Sequence, residues 1–269
     1  MMERSYLFVP GNRPERFDKA YGAGAHAVIV DLEDAVGPAD KATARAAARA
    51  WLTAEKPVWL RINGPESEWF TSDLDILALA GVKGVMLPKA EDTAAIAEIR
   101  GRLGAGARII PLIESALGLW RAEAIVCAEG VERLAFGSFD FQLDTGIAGE
   151  REELLFARSQ LVLVSRVAGR LAPVDGVTVA LDDEAELRED VERARRLGFG
   201  GKLCIHPKQV AAVNAGFRAP DADVAWARRV LEAADAAADN AVRLDGKLID
   251  RPIIDRARAI LADAEGPRS

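Results

Sequence analysis

The chain has 269 residues, half of them apolar, a net charge of −7 and a mean hydropathy near zero, which suits one large domain or two small ones with core enough to fold unaided. Its basic residues are dispersed, which excludes a phosphate-backbone footprint, and no apolar run approaches the ~18 residues of a membrane span. "MMERSYLFVPG" reaches Pro-Gly too soon for a secretory leader, and Cys127 and Cys204, far apart in apolar contexts, read as buried thiols, so a cytoplasmic protein is expected.

Short apolar runs alternate with amphipathic stretches along the first 215 residues. In order they are "SYLFVP" (5–10), "AVIVDLED" (27–34), "VWLRIN" (58–63), "GVMLPK" (84–89), "RIIPLIES" (108–115), "RLAFGSFD" (133–140), "VDGVTVA" (174–180) and "KLCIHP" (202–207). Each is rich in β-branched or aromatic residues and too short for a helix, as strands buried on both faces should be. Helical patterns such as "KATARAAARAWL" and "DDEAELREDVERARRLG" lie between them, the second opening on acids and closing on arginines and a glycine. Eight such units predict a (β/α)8 barrel, an α/β fold, over residues 1–216. The competing doubly wound sheet lacks its phosphate fingerprint, because "GAGAH" at 22–26 precedes a strand and reads as a loop. Residues 217–269 change pattern: two alanine-rich helices joined by "VRLDGKLID", without a strand of their own, should pack as a helical extension on the barrel or on a neighbouring subunit.

Chemistry in such a barrel sits at the C-terminal strand ends. Those ends offer Arg13, then Asp31, Glu33 and Asp34, then Arg61 and Asn63, Lys89, Glu114, Asp140, Asp175 and His206. Burying unpaired charge is expensive, so most of these should be paired, metal-bound or substrate-bound. Glu114 and Asp140 would point into the mouth from adjacent strands. Two carboxylates, with water and substrate completing the shell, suit Mg2+; pairing with Arg61 or Lys89 is the structural alternative. The Arg61 fork suits a carboxylate or a developing enolate oxygen. Some of Asp31, Glu33 and Asp34 read as acids bracing Arg61, Lys89 or Arg13, with Lys41 and Arg45 compensating others. Asp144 reads as a turn or capping residue, His26 as ordinary and His206 as a hydrogen-bonded structural histidine.

The strand ends also spell a family. "YLFVPGNRPERFDKA", "AVIVDLEDAV", "LRIN", "LPK", "PLIES", "FGSFDF", "VDGV" and "GFGGKLCIHPKQV" occur in order, and the chain closely resembles the citrate lyase beta-subunit-like family over about residues 4–260. The resemblance implies a Mg2+-dependent barrel enzyme, a carbon–carbon lyase working by Claisen-type chemistry on a 2-oxo acid (oxaloacetate, glyoxylate or pyruvate) and an acyl thioester of CoA or of an acyl carrier protein. It implies Glu114 and Asp140 as metal ligands, Arg61 as the contact to oxo acid or thioester oxygen, and Glu33 and Asp34 as acids near a metal-bound water. Asp250 in "LDGKLIDRP" matches a proton donor that relatives extend across a subunit boundary, but it equally reads as a helix N-cap before Pro252. The cross-subunit reading implies a homo-oligomer, expected as a homotrimer or a hexamer of trimers. CoA recognition is expected of exposed basic groups, Arg13, Lys19 and Lys89. Ser138, where many relatives carry an acidic or small residue, leaves the substrate open: a malyl-, citramalyl- or citryl-type thioester handled by a stand-alone lyase, or citryl-carrier protein handled by the beta subunit of a citrate lyase complex. A regulatory subunit that binds metal without turnover, and an aldolase acting on free pyruvate, are the remaining alternatives.

Overall fold

The structure, a computed structural model, describes residues 3–236 and 242–265. Eight parallel strands close into a barrel in chain order: β1 (Ser5–Pro10), β2 (Ala27–Asp31), β3 (Val58–Arg61), β4 (Val82–Leu87), β5 (Ile109–Ile113), β6 (Ala135–Phe136), β7 (Val174–Asp175) and β8 (Gly201–Cys204). The barrel shuts where β1 pairs β8 through Ser5–Lys202 and Leu7–Cys204. Around it run α1 (Phe17–Tyr21), α2 (Lys41–Trp51), α3 (Phe70–Leu74), α4 (Ala94–Leu103), α5 (Ala116–Trp120), α6 (Ala122–Cys127), α7 (Ser138–Thr145), α8 (Leu155–Val167), α9 (Glu184–Leu197) and α10 (Val210–Gly216). The α/β barrel expected from the apolar runs is therefore present.

The strands' two-residue period divides their side chains. Tyr6, Ile29, Trp59, Met86, Ile110, Leu112, Val174 and Leu203 fill the barrel as one buried cluster, while alternate residues such as Leu7, Val28 and Leu60 are buried against the helices. Gly84 makes room for the largest of them, since a Cβ there would lie 2.5 Å from the Trp59 ring. Aromatic and guanidinium groups seal the N-terminal end. Tyr6 and Trp59 meet edge to face at 6.3 Å, Arg133 donates to the Tyr6 hydroxyl at 3.1 Å, and Arg108 lies 5.0 Å over the Trp59 ring. The cavity is thus confined to the C-terminal mouth.

Helix ends follow their chemistry. Asp183 caps α9 by accepting from Glu186 N–H at 3.0 Å, and Gly198, at φ 100°, ends it in the left-handed conformation that glycine adopts without steric cost.

Several expectations are corrected. β6 stops at Phe136, and "SFDFQLDT" is helix α7 rather than the end of a strand; an acid in the first helical turn is favoured by the macrodipole. β7 is likewise confined to Val174–Asp175. Cys204 is buried but Cys127, at the end of α6, is exposed.

The residues from Ala215 onward form a separate compact unit. It contains α11 (Asp221–Ala236), an antiparallel hairpin of β9 (Val242–Leu244) and β10 (Lys247–Ile249), and α12 (Arg251–Glu265). The segment expected to lack strands thus carries two. Its Asp245-Gly246 turn has positive φ at both residues, 51° and 77°, as a two-residue hairpin requires. Ala227, Val230, Ile249 and Ala257 give the unit a small core of its own.

Candidate active site

The mouth holds a cavity of about 410 Å3 whose polar lining comes from Asp31, Asp34, Arg61, Glu114, Ser138 and Asp140, with Phe8, Leu112, Phe136 and Leu203 as its apolar wall. β3 delivers Arg61 into a nest of acids supplied by β2 and its following turn. Asp31 accepts from Arg61 Nε at 2.7 Å and from Nη2 at 2.6 Å, a bidentate fork with the geometry that guanidinium and carboxylate share. Asp34 accepts from Nη1 at 3.2 Å. Glu33 Oε2 lies 3.0 Å from the same Nη1, but off the hydrogen-bonding direction, so this buried oxygen has no hydrogen-bond partner. All three acids therefore brace Arg61, and none braces Arg13 or Lys89. Asp31 also accepts from the backbone N–H of Glu33 at 2.9 Å and of Ala35 at 3.2 Å, which shapes the acidic turn.

A buried network supports that turn from behind. Lys41 donates to the Leu32 carbonyl at 2.9 Å and the Glu33 carbonyl at 2.8 Å, and its ammonium lies 5.2 Å over the Trp69 ring. Asn63 bonds the Leu32 carbonyl and the buried carboxylate of Asp73, which also takes Arg45 Nε at 2.8 Å. Asn63 is thus a structural partner here, and Lys41 compensates carbonyl oxygens rather than an acid.

Glu114, one residue past β5, is buried. Its Oε2 accepts the backbone N–H of Lys89 at 2.8 Å, and Lys89 reaches that position with φ 47°, an uncommon conformation outside glycine. Neither Glu114 nor Asp140 forms an ion pair or side-chain hydrogen bond with Arg61 or Lys89 among the described residues, so the buried-pair alternative is not what the structure has. Gly137 leaves the space that Glu114 occupies: a Cβ there would lie 2.4 Å from Glu114 Cγ. Asp140, half-buried in the first turn of α7, faces the same cavity.

Burial raises two of these acids despite the nearby charge of Arg61. Burial, opposed by Arg61, pushes the Glu33 carboxyl up to about 7. Burial, reinforced by the charge of Glu33 and by Asp140, pushes Glu114 up to about 8. Among the described residues no set of three or more His, Cys, Asp and Glu side chains is arranged as a metal cage. Glu114 and Asp140, which face one cavity and form no ion pair with a cation among the described residues, do fit a hard cation that keeps part of its shell for water and substrate.

A second cavity, about 560 Å3, adjoins the first and shares Asp34 with it. It is lined by Glu33, Lys41, Trp69, Lys89 and Glu91 among others. Glu33 and Lys89 thus face this adjoining cavity, whereas Arg13 lines neither and pairs with Glu15 at 2.6 Å.

Asp175 does not reach the mouth. It is fully buried, with Arg158 Nε at 2.9 Å and Lys202 Nζ at 3.6 Å, and those two cations hold its carboxyl below the ordinary aspartate value against the cost of burial. Asp144 does cap: its Oδ2 accepts the first backbone N–H of α5, Ala116, at 2.7 Å. His206 accepts from Lys208 N–H through Nδ1, and His26 Nδ1 accepts from Arg4 N–H, both structural roles. Asp250 caps α12, its Oδ1 accepting Ile253 N–H at 3.2 Å.

Sequence reasoning passed over Gly137 and Asp73. The glycine before Ser138 was a visible signal for close approach, whereas nothing local marks Asp73, because its partners are Arg45 on α2 and Asn63 two residues past β3.

The model of the HpcH/HpaI aldolase/citrate lyase family matches residues 4–207. The chain belongs to this family. A citrate lyase subunit beta-like protein of Deinococcus radiodurans is 38% identical, the match covering 96% of each chain. A (3S)-malyl-CoA thioesterase of Cereibacter sphaeroides is 33% identical, over 97% of this chain and 94% of the relative. Among solved structures, CitE from Mycobacterium tuberculosis in complex with magnesium, acetoacetate and coenzyme A superposes with a TM-score of 0.87 at 34% identity, covering 98% of this chain and 99% of that one. The family membership and the lyase class expected from the strand-end motifs are therefore established. No helix among the described residues is long and apolar enough to cross a membrane.

Proposed function

We propose that this chain is a Mg2+-dependent carbon–carbon lyase of the cytoplasm that cleaves or forms a 3-hydroxyacyl thioester of the malyl-, citramalyl- or citryl-CoA type, giving a 2-oxo acid and an acyl thioester. The observation that carries the reading is the pair Glu114 and Asp140, two carboxylates that have no cationic partner among the described residues and face one cavity beside a fixed guanidinium. The magnesium, acetoacetate and coenzyme A named for the solved relative support it.

Glu114 and Asp140 would hold the ion, which supplies Lewis acidity toward the hydroxyl and carboxylate oxygens of the hydroxyacyl end. Glu33, with a carboxyl pushed up to about 7 and an Oε2 that accepts no hydrogen bond, has the proton affinity to take the 3-hydroxyl proton near neutral pH. As that proton leaves, the C2–C3 bond breaks, the hydroxyl carbon becomes the carbonyl of the oxo acid, and the bonding pair passes to the thioester as an enolate. Arg61, held charged by Asp31, stabilises the developing negative oxygen. Asp34, at the boundary of the two cavities, orients water and substrate. Asp250, in a homo-oligomer, gives the proton that turns the enolate carbon into the methyl or methylene of the product. Its Oδ1 serves the α12 cap. Lys89 in the adjoining cavity, together with Arg13 and Lys19, meets the anionic groups of the thiol carrier.

The thioesterase among the relatives favours one further reading, hydrolysis of the same thioesters. A coupled assay of thiol release and oxo-acid formation separates them, run with malyl-, citramalyl- and citryl-CoA, with and without Mg2+, beside Asp140→Ala. Equal thiol-free oxo-acid and acyl-CoA yields, Mg2+-dependent and lost in the variant, support the lyase. Free thiol without oxo acid supports hydrolysis. Silence on all three CoA esters, with turnover of citryl-acyl carrier protein, makes the chain the beta subunit of a citrate lyase complex. Silence on every substrate with Mg2+ and oxaloacetate still bound leaves a regulatory subunit.

A further inference from the structure

The loop between β4 and α4, residues 88–92, walls the adjoining cavity with Lys89, Ala90, Glu91 and Asp92. The same loop is fastened to the segment that follows β5, where Glu114 stands. The Leu112 carbonyl accepts the Ala90 N–H at 3.2 Å, which carries the β4–β5 pairing past the end of β4. Glu114 Oε2 accepts the Lys89 N–H at 2.8 Å. The Ser115 hydroxyl donates to Glu91 Oε1 at 2.6 Å, and Arg121, at the end of α5, donates to the Glu91 carbonyl at 3.1 Å. Gly118 in α5 admits the loop this closely, since a Cβ there would lie 2.7 Å from the Ala90 carbonyl oxygen.

Of these bonds, the one from Lys89 touches the carboxylate of Glu114 itself. It comes from a residue at φ 47°, a conformation that a side-chain-bearing residue keeps only where its surroundings hold it. The Lys89 side chain is exposed and anchors nothing, so the hold comes from the next two residues. Glu91 supplies the side-chain part of it. Its partner hydroxyl is fixed in both directions: Ser115 is buried, its Oγ accepts the Gly118 N–H at 3.1 Å, and its proton is directed to Glu91. A hydroxyl donating to a carboxylate at this distance is a charge-assisted bond, among the stronger kinds a protein makes.

We infer that Glu91 is a positioning residue for the ion site. Through Ser115 it holds the loop so that the Lys89 N–H stays on Glu114 Oε2, and this fixes the carboxylate that faces the mouth with Asp140. The inference rests on the proposed reading of Glu114 and Asp140 as the Mg2+ ligands and adds to it the side chain that keeps one of them in place. Metal-binding carboxylates that lose such supporting bonds typically lose about 10–100-fold in affinity. Glu91 acts here through a hydrogen bond and not through its charge, and that distinction can be measured. Gln at position 91 keeps an oxygen for the Ser115 proton without the charge, whereas Ser115→Ala keeps the charge without the bond.

The test is calorimetric titration of the full chain with Mg2+ alone, for wild type, Glu91→Ala, Glu91→Gln and Ser115→Ala. Asp183→Ala, which removes the cap of α9 and lines neither cavity, controls for a loss of stability alone. The expected result is an affinity loss of about tenfold or more in Glu91→Ala and Ser115→Ala, with Glu91→Gln and Asp183→Ala close to wild type. Amide exchange at Lys89, followed by nuclear magnetic resonance without metal, should quicken in Glu91→Ala and Ser115→Ala and not in the other two. If Ser115→Ala fails to fold, because it also loses the α5 cap, the contrast between Glu91→Ala and Glu91→Gln decides. Wild-type affinity in Glu91→Ala, or a loss in Glu91→Gln as large as in Glu91→Ala, would overturn the inference and leave the ion site standing. A wild type that takes up no Mg2+ would overturn the ion site and the inference with it.

Discussion

Gly137→Ala isolates the space in which Glu114 sits. An alanine Cβ would lie 2.4 Å from Glu114 Cγ, 2.5 Å from Oε1 and 2.9 Å from Cδ, about 1 Å inside the ~3.5–4.0 Å at which non-bonded carbons attract. The backbone at Gly137, φ −96°, is open to alanine, so the perturbation is steric and local. Either the backbone moves, at the ~1–3 kcal/mol typical of overpacking, or Glu114 swings away and breaks its 2.8 Å bond to Lys89 N–H, which as a charged hydrogen bond contributes about 1.5–3 kcal/mol. Both routes take Glu114 out of register with Asp140. Calorimetric titration with Mg2+ should show an affinity loss of tenfold or more, because about 1.4 kcal/mol is a factor of ten. Thermal unfolding should fall by only roughly 2–4 °C per kcal/mol. Wild-type Mg2+ affinity in Gly137→Ala would refute the reasoning, whatever the change in stability.

The raised acids make stability depend on pH and metal together. Glu114 titrates near 8 and Glu33 near 7 in the fold, against about 4.5 unfolded; the native state therefore binds more protons between these values, and stability without metal falls as pH rises from about 5 to 8. Saturating Mg2+ should flatten that fall in a melting series across this range, and an unchanged slope would show that these acids do not meet the ion. Asp175→Ala should act on stability rather than on the mouth: it leaves Arg158 and Lys202 buried without their carboxylate, a loss of about 3–5 kcal/mol and on the order of 10 °C in melting temperature. A variant melting within a degree or two of wild type would remove the case for that buried cluster.

The barrel was legible because its strands are short apolar runs with a clear period, and because Phe8, Ile29, Trp59 and Ile110 alternate with helix-facing residues. The short strands were not. "RLAFGSFD" reads as one apolar run, yet Gly137 turns the chain and α7 begins at Ser138, with Asp140 in the first helical turn, where the macrodipole favours an acid. Arg61, Asp31 and Asp34 were recognisable as one group because strand ends converge at the mouth. Asp175 was misplaced for the same reason: its partners, Arg158 on α8 and Lys202 on β8, are fixed by packing of distant segments and leave no local signature. The Asp245-Gly246 hairpin was missed although its turn residues carry the signal, because the strands it joins have only three residues each.

The central claim is that Glu114 and Asp140 together hold the ion that receives the oxo acid. Crystals of the full chain soaked with Mn2+, which shares the carboxylate preference of Mg2+, and with oxaloacetate would test it by anomalous diffraction. The account predicts one strong peak about 2.1 Å from a carboxylate oxygen of each residue, with oxaloacetate oxygens completing the shell and Arg61 beside them. A peak elsewhere in the barrel, or a metal bound with either carboxylate turned away, would contradict it.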